Sequence, residues 1–156
     1  MRWAGGTAGF VFAIDQATKL FVVWHLGLAD RLQMDVVAPY LTFRMAWNRG
    51  INFGLFAGHD VALRWGLIAL ALAIVLWVWL WVREAQAGRR VQVAAGLVIG
   101  GALGNVVDRI AYGAVADFLN MSCCGISNPY SFNIADIAVF AGALGLLLWS
   151  GPAKTP

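Results

Sequence analysis

Four long apolar segments, separated by more polar connections, dominate the pattern of hydrophobic and polar positions along the chain. A helix needs about 20 mostly apolar residues to cross a membrane, and each segment is close to that length. The pattern therefore predicts four transmembrane helices in one integral membrane domain. The predicted domain is residues 1–156, with spans at about 3–26, 61–82, 91–111 and 132–150.

A second pattern, strict alternation of apolar and polar residues, follows the first apolar segment. Leu41, Phe43, Met45 and Trp47 fall on one face of "YLTFRMAWN", and "INFGLF" alternates again after the turn signal "NRG". Period two with aromatic residues is typical of strands. We therefore predict a small β-ribbon on the outer membrane surface, over about 40–56. The predicted fold class is an all-α polytopic membrane protein with this extracytoplasmic β segment between helices 1 and 2.

Composition and charge agree with a membrane protein. Of 156 residues, 61% are hydrophobic and only 12% are charged, whereas about one-quarter of a soluble domain is charged. The mean hydropathy is +0.73. A net charge of +3 without a basic stripe argues against nucleic acid as a partner, so membrane lipids are the expected surroundings.

Basic residues predict the orientation of the spans. Arg83, Arg89 and Arg90 lie in the short connection between the second and third spans, and Arg2 and Lys154 lie near the chain ends. Cytoplasmic loops carry an excess of Lys and Arg. We therefore expect both termini to be cytoplasmic. We also expect the first segment to remain as a span, rather than to be a cleaved secretory signal, because its apolar character resumes beyond its charged residues.

Polar residues inside the spans fall at similar depths. With about 1.5 Å of rise per residue, Asp15 and Lys19 lie about 18 to 24 Å above the inner end of the first span. Asn105 and Asp108 lie about 21 to 25 Å above the inner end of the third. Asp136 lies about 6 Å below the outer edge of the last. Ionisable groups inside membranes normally face a bundle interior and mark function, so a polar site is predicted near the outer face.

Small residues indicate which way the third span faces. Gly96, Gly100 and Gly104 recur every four residues, and Asp108 continues the same face. Such faces let helices approach closely, so Asp108 is expected to point towards a neighbouring helix. Its partner is left open: it is either Arg109 or a residue elsewhere.

Asp117 and Asp136 are expected at the same membrane face, because the connection that contains Asp117 is on the outer side. Gly113 can end the third helix and turn the chain back. Two carboxylates in a cleft of low dielectric can share one proton, which is the arrangement of aspartic proteases. The alternative is two separately solvated loop carboxylates.

The two cysteines, Cys123 and Cys124, are adjacent, and the histidines His25 and His59 are distant in sequence. No set of ligands has the spacing of a metal site. We therefore expect no metal, no cofactor and no catalytic thiol.

Five motifs occur in a characteristic order: "DQATK" (15–19), "NRGINFG" (48–54), "GGALGNVVDRI" (100–110), "VADF" (115–118) and "FNIAD" (132–136). Together they resemble the bacterial lipoprotein signal peptidase family, signal peptidase II. One departure is that Ile51 and Asn52 follow Gly50, where small residues are frequent in the family. The departure concerns the shape of the cleft edge.

The resemblance implies roles for particular residues. Asp117 and Asp136 match the catalytic aspartates. Asp15 and Lys19 match the first-helix motif, and an i, i+4 ion pair that supports the fold is expected there. The residues that match substrate-binding or site-shaping positions are Asn48, Asn105, Asp108, Arg109 and Asn133.

The resemblance also implies an activity. It is that of an intramembrane aspartic endopeptidase that removes the signal peptide from diacylglyceryl-modified prolipoproteins, cleaving before the lipid-modified cysteine. The implied enzyme is a monomer of the bacterial cytoplasmic (inner) membrane, with an outer β-cradle and an active site near the outer leaflet. The competing interpretations are a proton-coupled transporter, for which a midplane site and an internal repeat are expected, and a purely structural membrane subunit.

Overall fold

The computed structural model describes residues 1–50, 61–123 and 128–150. Helix α1, Arg2–Lys19, continues as a π-helical segment, Leu20–His25. The other helices are α2 (Leu28–Arg31), α3 (Val61–Glu84), α4 (Arg89–Tyr112) and α5 (Ile134–Trp149). The strands are β1 (Gln33–Val37), β2 (Leu41–Asn48) and β3 (Val115–Met121).

Among the described residues, three helical segments are long and apolar enough to cross a membrane: Arg2–His25, Val61–Glu84 and Arg89–Tyr112. They lie close to the first three predicted spans. Helix α5 is also apolar but has 16 residues, which is slightly short for a crossing. A fourth span therefore stays a prediction.

Glycines bring α4 close to its neighbours. A β-carbon added at Gly100 would lie 2.5 Å from the carbonyl oxygen of Ala8 in α1. One added at Gly101 would lie 2.5 Å from the carbonyl oxygen of Ala135 in α5. Only hydrogen fits at these contacts, which is the reason small residues are enriched where membrane helices meet. Helix α4 therefore packs between α1 and α5.

The strands form one antiparallel sheet in the order β1-β2-β3. A cluster of buried apolar side chains packs this sheet against the C-terminal end of the first helical segment. Its members are Val22, Val23, Leu28, Ala116 and Phe118.

The sheet corrects part of the prediction. Strand β2 lies within the predicted β-ribbon. The second half of that ribbon, 51–56, lies outside the described residues. The sheet also contains β1 and β3, so it is not confined to the connection between helices 1 and 2. Strand β3 was not predicted because almost all of its residues are buried, and a strand buried on both faces shows no alternation.

A turn at Gly113 directs the chain from α4 into β3, as the sequence predicts. Gly113 has φ +77° and ends the helix, and its N–H donates to the carbonyl oxygen of Arg109. Glycine adopts this left-handed conformation without steric penalty. The chain then pairs with β2, in a register that places Ala46 opposite Asp117.

Candidate active site

Asp117 and Asp136 each occupy the third position of their element, in β3 and α5 respectively. The segment before α5 is tied to β3 by backbone hydrogen bonds. The N–H groups of Phe118 and Leu119 donate to the carbonyl oxygen of Phe132, at 3.1 and 2.8 Å. The end of the loop therefore returns to the strand that carries Asp117, and α5 starts beside it.

Asn133 is the N-cap of α5 and forms a capping box with Asp136. The Asn133 Oδ1 accepts from the Asp136 N–H at 2.9 Å, and the Asp136 Oδ2 accepts from the Asn133 N–H at 3.2 Å. Both bonds satisfy N–H groups that have no partner within the helix. The cap fixes the Asp136 carboxylate at the helix start.

The same asparagine reaches Asp117. The Asn133 Nδ2 lies 2.6 Å from Asp117 Oδ1 and 3.2 Å from Asn105 Oδ1. The Asn105 Nδ2 in turn donates to Asp136 Oδ1 at 3.0 Å. The two aspartates are therefore linked through two asparagine side chains that come from different helices.

Asn48 completes the surroundings of Asp117 from the sheet. It is the last residue of β2, and its Nδ2 donates to Asp117 Oδ2 at 3.1 Å. Both oxygens of Asp117 thus accept from a neutral amide. The structure brings Asn48, Asn105 and Asn133 together around the two aspartates, as the sequence motifs suggest.

Asp117 is buried, with 2% of its surface exposed. Burial raises the pKa of Asp117 to about 7, and the negative charge of Asp136 raises it as well. The hydrogen bonds from Asn48 and Asn133 act in the opposite direction but do not cancel the effect. Near neutral pH this carboxyl can therefore either hold or release a proton.

A second group of charges lies next to the aspartates. Lys19 Nζ is 2.8 Å from Asp15 Oδ2 and 2.7 Å from Asp108 Oδ2, and all three side chains are buried. The expected i, i+4 pair between Asp15 and Lys19 is present. The partner of Asp108, which the sequence left open, is Lys19 rather than Arg109.

This ionic cluster, defined by Asp15, Lys19 and Asp108, contacts the site directly. The Lys19 Nζ donates to Asn105 Oδ1 at 3.2 Å, and Asn105 reaches Asp136. Gln16 also belongs to the group, because its Nε2 donates to Asp15 and Asp108 at 3.2 and 3.0 Å. Gln16 was not singled out in the sequence, although it follows Asp15 within the "DQATK" motif.

The comparisons with known proteins agree with the motifs. A sequence model of the signal peptidase (SPase) II family matches residues 7–151. The chain belongs to the signal peptidase II family. The predicted resemblance is confirmed, and the family membership makes the chain a protease.

Curated relatives cover nearly the same length. The chain is 43% identical over 148 residues to the lipoprotein signal peptidase of Methylobacterium sp. (strain 4-46), covering 92% of this chain and 87% of the relative. It is 44% identical over 136 residues to the lipoprotein signal peptidase of Methylorubrum extorquens (strain PA1), covering 87% and 78%.

Two solved structures have the same fold. One is a bacterial membrane enzyme solved by the in meso method at 2.3 Å resolution, with a TM-score of 0.79 and 26% identity, covering 98% of this chain and 93% of that one. The other, solved at 1.9 Å, has a TM-score of 0.77. Together with the apolar helices, they place this signal peptidase II chain among multi-pass membrane proteins.

Arg109 also contacts Asn105, one helical turn before it in α4. Its Nη1 lies 3.4 Å from the carbonyl oxygen of Asn105, and its positive charge attracts Asp117 and Asp136. Within the described part of the chain, its buried Nε has no hydrogen-bond partner. Arg109 and Asn105 form the polar end of a cavity of about 240 Å³. The apolar walls come from α3, α4 and α5: Leu67, Leu70, Ala71, Ile74, Val98, Ala102 and Val139.

The surroundings of one cysteine and one histidine are described. Cys123 is exposed, and the His25 ring stacks on Phe21 at 5.3 Å. Cys124 and His59 lie outside the described residues. Across residues 1–50, 61–123 and 128–150, no three His, Cys, Asp or Glu side chains cluster as metal ligands.

Proposed function

We propose that this chain is an intramembrane aspartic endopeptidase that removes the signal peptide from diacylglyceryl-modified prolipoproteins. Cleavage occurs just before the lipid-modified cysteine, and Asp117 and Asp136 are the catalytic residues. The observation that carries the proposal is the position of Asn133, which contacts both aspartates at the start of α5.

The proposed chemistry uses one proton shared by the two carboxyls. The ionised aspartate accepts a proton from the attacking water, and the protonated aspartate donates to the oxygen of the scissile carbonyl. The raised pKa of Asp117, which results mainly from burial, supports this division because it keeps a proton available near neutral pH. The proton belongs to the pair as a unit, since coupled carboxyls titrate together.

The asparagines hold the aspartates in place during this cycle. Asn48 and Asn133 donate to Asp117, and Asn105 donates to Asp136. A neutral amide donor tolerates both protonation states of a carboxyl better than a permanent cation does, because it neither gains nor loses a full charge interaction.

The cavity beside Arg109 and Asn105 suits the proposed substrate. Apolar residues of α3, α4 and α5 line it, and the signal segment of a prolipoprotein is itself an apolar helix. The Arg109 guanidinium lines the polar end of the cavity and carries N–H donors suited to a peptide or ester carbonyl. The lipid-modified end of the substrate then lies next to the aspartates.

Further parts of the proposal concern placement in the membrane. Four crossings, with both termini cytoplasmic, put Asp117 and Asp136 near the outer leaflet, where the diacylglyceryl group resides. The enzyme acts as a monomer in the bacterial inner membrane, with prolipoproteins and lipids as partners and without a cofactor or metal.

The test is cleavage of a diacylglyceryl-modified precursor by the purified full chain, followed by mass spectrometry of both products. We expect a mature product that begins with the lipid-modified cysteine. The same precursor without the diacylglyceryl group serves as the control and should be cleaved far more slowly. A cut at another bond would contradict the proposed cleavage site, and equal rates for both precursors would contradict recognition of the lipid.

A further inference from the structure

The ionic cluster makes one contact with each of the elements that carry the candidate catalytic aspartates. Asp15 Oδ1 accepts from the backbone N–H of Ala135 at 3.0 Å, and Asp108 Oδ2 accepts from the backbone N–H of Ala116 at 3.1 Å. Ala135 immediately precedes Asp136, and Ala116 immediately precedes Asp117. In both contacts, a carboxylate of the ionic cluster accepts from the backbone N–H of the residue before a candidate catalytic aspartate. The first contact joins α1 to α5, and the second joins α4 to β3.

The contact at Ala135 fills a gap in the first turn of α5. N–H groups in the first turn of a helix have no acceptor within the helix. Asn133 satisfies the N–H of Asp136, and Asp15 satisfies that of Ala135 from a different helix. A carboxylate is favoured at this end of a helix by the macrodipole. Because Asp15 is fully buried, water does not compete for the bond.

The contact at Ala116 likewise supplies an acceptor for a backbone N–H, in this case one of the sheet. Strand β3 lies at the edge of the sheet, so part of its backbone has no strand partner. Asp108, which is 1% exposed, provides a buried acceptor from α4 for the Ala116 N–H. An amide left without an acceptor there would be costly.

Lys19 joins the two contacts. The Lys19 Nζ lies 2.8 Å from Asp15 Oδ2 and 2.7 Å from Asp108 Oδ2. The other oxygen of Asp15, Oδ1, accepts from the Ala135 N–H. In Asp108, the oxygen that pairs with Lys19, Oδ2, also accepts from the Ala116 N–H. The relative position of α5 and β3 is therefore defined through one cation and two carboxylates.

We propose that Asp15 and Asp108 are paired positioning residues for catalysis, with Asp15 orienting Asp136 and Asp108 orienting Asp117 through the preceding backbone amide. The inference rests on the proposed function, since it assigns a purpose to the spacing of the two aspartates. A misplacement of about 1 Å can reduce a catalytic rate by about 100-fold. Asp15 therefore does more than support the fold of the first helix.

The first part of the test is hydrogen exchange, which needs no substrate. We compare Asp15→Ala and Asp108→Ala in the full chain, using peptides that cover 113–119 and 131–137. Asp15→Ala should speed exchange at Ala135 by about tenfold or more and leave Ala116 nearly unchanged, and Asp108→Ala should do the reverse. Asp35→Ala is the matched control, because Asp35 is an exposed carboxylate on β1 whose described partner is the hydroxyl of Thr42.

If an alanine variant does not fold, Asp15→Asn and Asp108→Asn replace it. The amide oxygen can still accept the bond, so exchange at the corresponding alanine should rise less, but at the same position. The wild-type chain provides a check without any variant, because both amides should exchange slowly. Fast exchange at Ala116 or Ala135 in the wild type, or an equal rise at both in each variant, would overturn the proposal.

The second part is kinetic. Per folded enzyme, each variant should lose about 10- to 100-fold in kcat, with KM within about twofold of the wild type. A purely structural role would lower the amount of folded enzyme and leave kcat per folded molecule unchanged, and that result would also overturn the proposal. Absence of precursor cleavage by the wild type would instead count against the proposed function, whatever the exchange pattern.

Discussion

Two neighbouring groups of carboxylates in this molecule are held in different ways. In the ionic cluster, Asp15 and Asp108 each contact the ammonium of Lys19 directly. In the proposed catalytic pair, the described side-chain contacts to Asp117 and Asp136 come from the amides of asparagines. One group thus has a permanent cation in direct contact with its carboxylates, whereas the other accepts its described side-chain hydrogen bonds from neutral amides and is reached by the charges of Arg109 and Lys19 from farther away.

In the proposed mechanism, the difference lets similar residues serve different purposes in neighbouring places. A buried cation compensates two buried carboxylates and keeps their geometry constant. Neutral amides position a carboxyl without fixing its charge, so its proton can move during a reaction. The asparagine Asn105 is the link between the groups, because it accepts from Lys19 and donates to Asp136.

The largest effect is expected when the catalytic pair loses its titratable oxygens. Asp117→Asn and Asp136→Asn should each reduce cleavage of the lipid-modified precursor by at least about 1,000-fold, because an amide cannot accept the proton of water. The measurement is kcat per folded enzyme. Asp35→Asn, at the sheet surface, should retain normal turnover. Near-normal turnover in either of the first two variants would remove that residue from the proposed catalytic pair.

The ionic cluster should respond in stability when its cation is removed. Lys19→Met leaves two buried carboxylates unpaired and should lower the free energy of unfolding by about 3–5 kcal/mol. Asp15→Asn combined with Lys19→Met leaves only Asp108 unpaired and should be less damaging. Unfolding in mixed micelles measures both. Equal losses in the single and double variants would argue against direct pairing of Asp15 with Lys19.

The pH dependence of stability distinguishes the two groups further. The pKa of Asp117 is raised in the folded state to about 7, from an ordinary value of about 3.9. The neutral carboxyl is therefore favoured by folding, and this contribution is present below about pH 4 and lost as the pH rises through 7. The full difference is about 4 kcal/mol.

Asp117→Asn should remove this pH dependence. Relative to the wild type, the free energy of unfolding of the variant should increase steadily between about pH 4 and pH 7 and then level off. The change of this free-energy difference with pH, rather than its absolute size, tests the prediction, because the amide also alters the hydrogen bonds to Asn48 and Asn133. Parallel pH profiles for the two proteins would show that burial does not perturb Asp117.

A smaller effect is expected when an added methyl group crowds the ionic cluster without changing its charges. A β-carbon at Gly104 would lie 2.5 Å from Asp15 Oδ2, whereas one at Gly9 meets no atom within 4 Å. Gly104→Ala should therefore lower the free energy of unfolding by about 1–3 kcal/mol through overpacking. Gly9→Ala should be neutral or slightly stabilising because alanine favours helix. Equal stability of both variants would show that Asp15 can move away freely.

Several of these features follow from sequence patterns, and others do not. The depths of Asp15, Lys19 and Asp108 can be estimated from helical rise. The Asp15–Lys19 pair is expected from the resemblance of "DQATK" to the family's first-helix motif, and its i, i+4 spacing is compatible with an ion pair. Strand β3 is missed because burial on both faces removes its alternation. Strand β1 is missed for the opposite reason, because it is mostly exposed and short.

Contacts between distant segments are the other class that sequence patterns leave undetermined. The partner of Asp108 lies on α1, and Asp15 accepts from an amide 120 residues away. Neither contact leaves a local pattern, since backbone N–H groups are present at every residue except proline. Asn133 is the intermediate case: its place before Asp136 signals an N-cap, but its bond to Asp117 depends on the tertiary fold.

The smallest effect is expected outside both groups of carboxylates. Cys123→Ala combined with Cys124→Ala should leave precursor cleavage within about twofold of the wild type, and EDTA should not inhibit it. Cys123 is exposed, and the proposed mechanism requires only two carboxyls and water. The rate of cleavage by the folded double variant is the measurement, with thermal unfolding as the control for loss of structure. If the folded double variant were inactive, a thiol would have to take part, and the contrast between a fixed ionic cluster and a titrating pair would no longer account for catalysis.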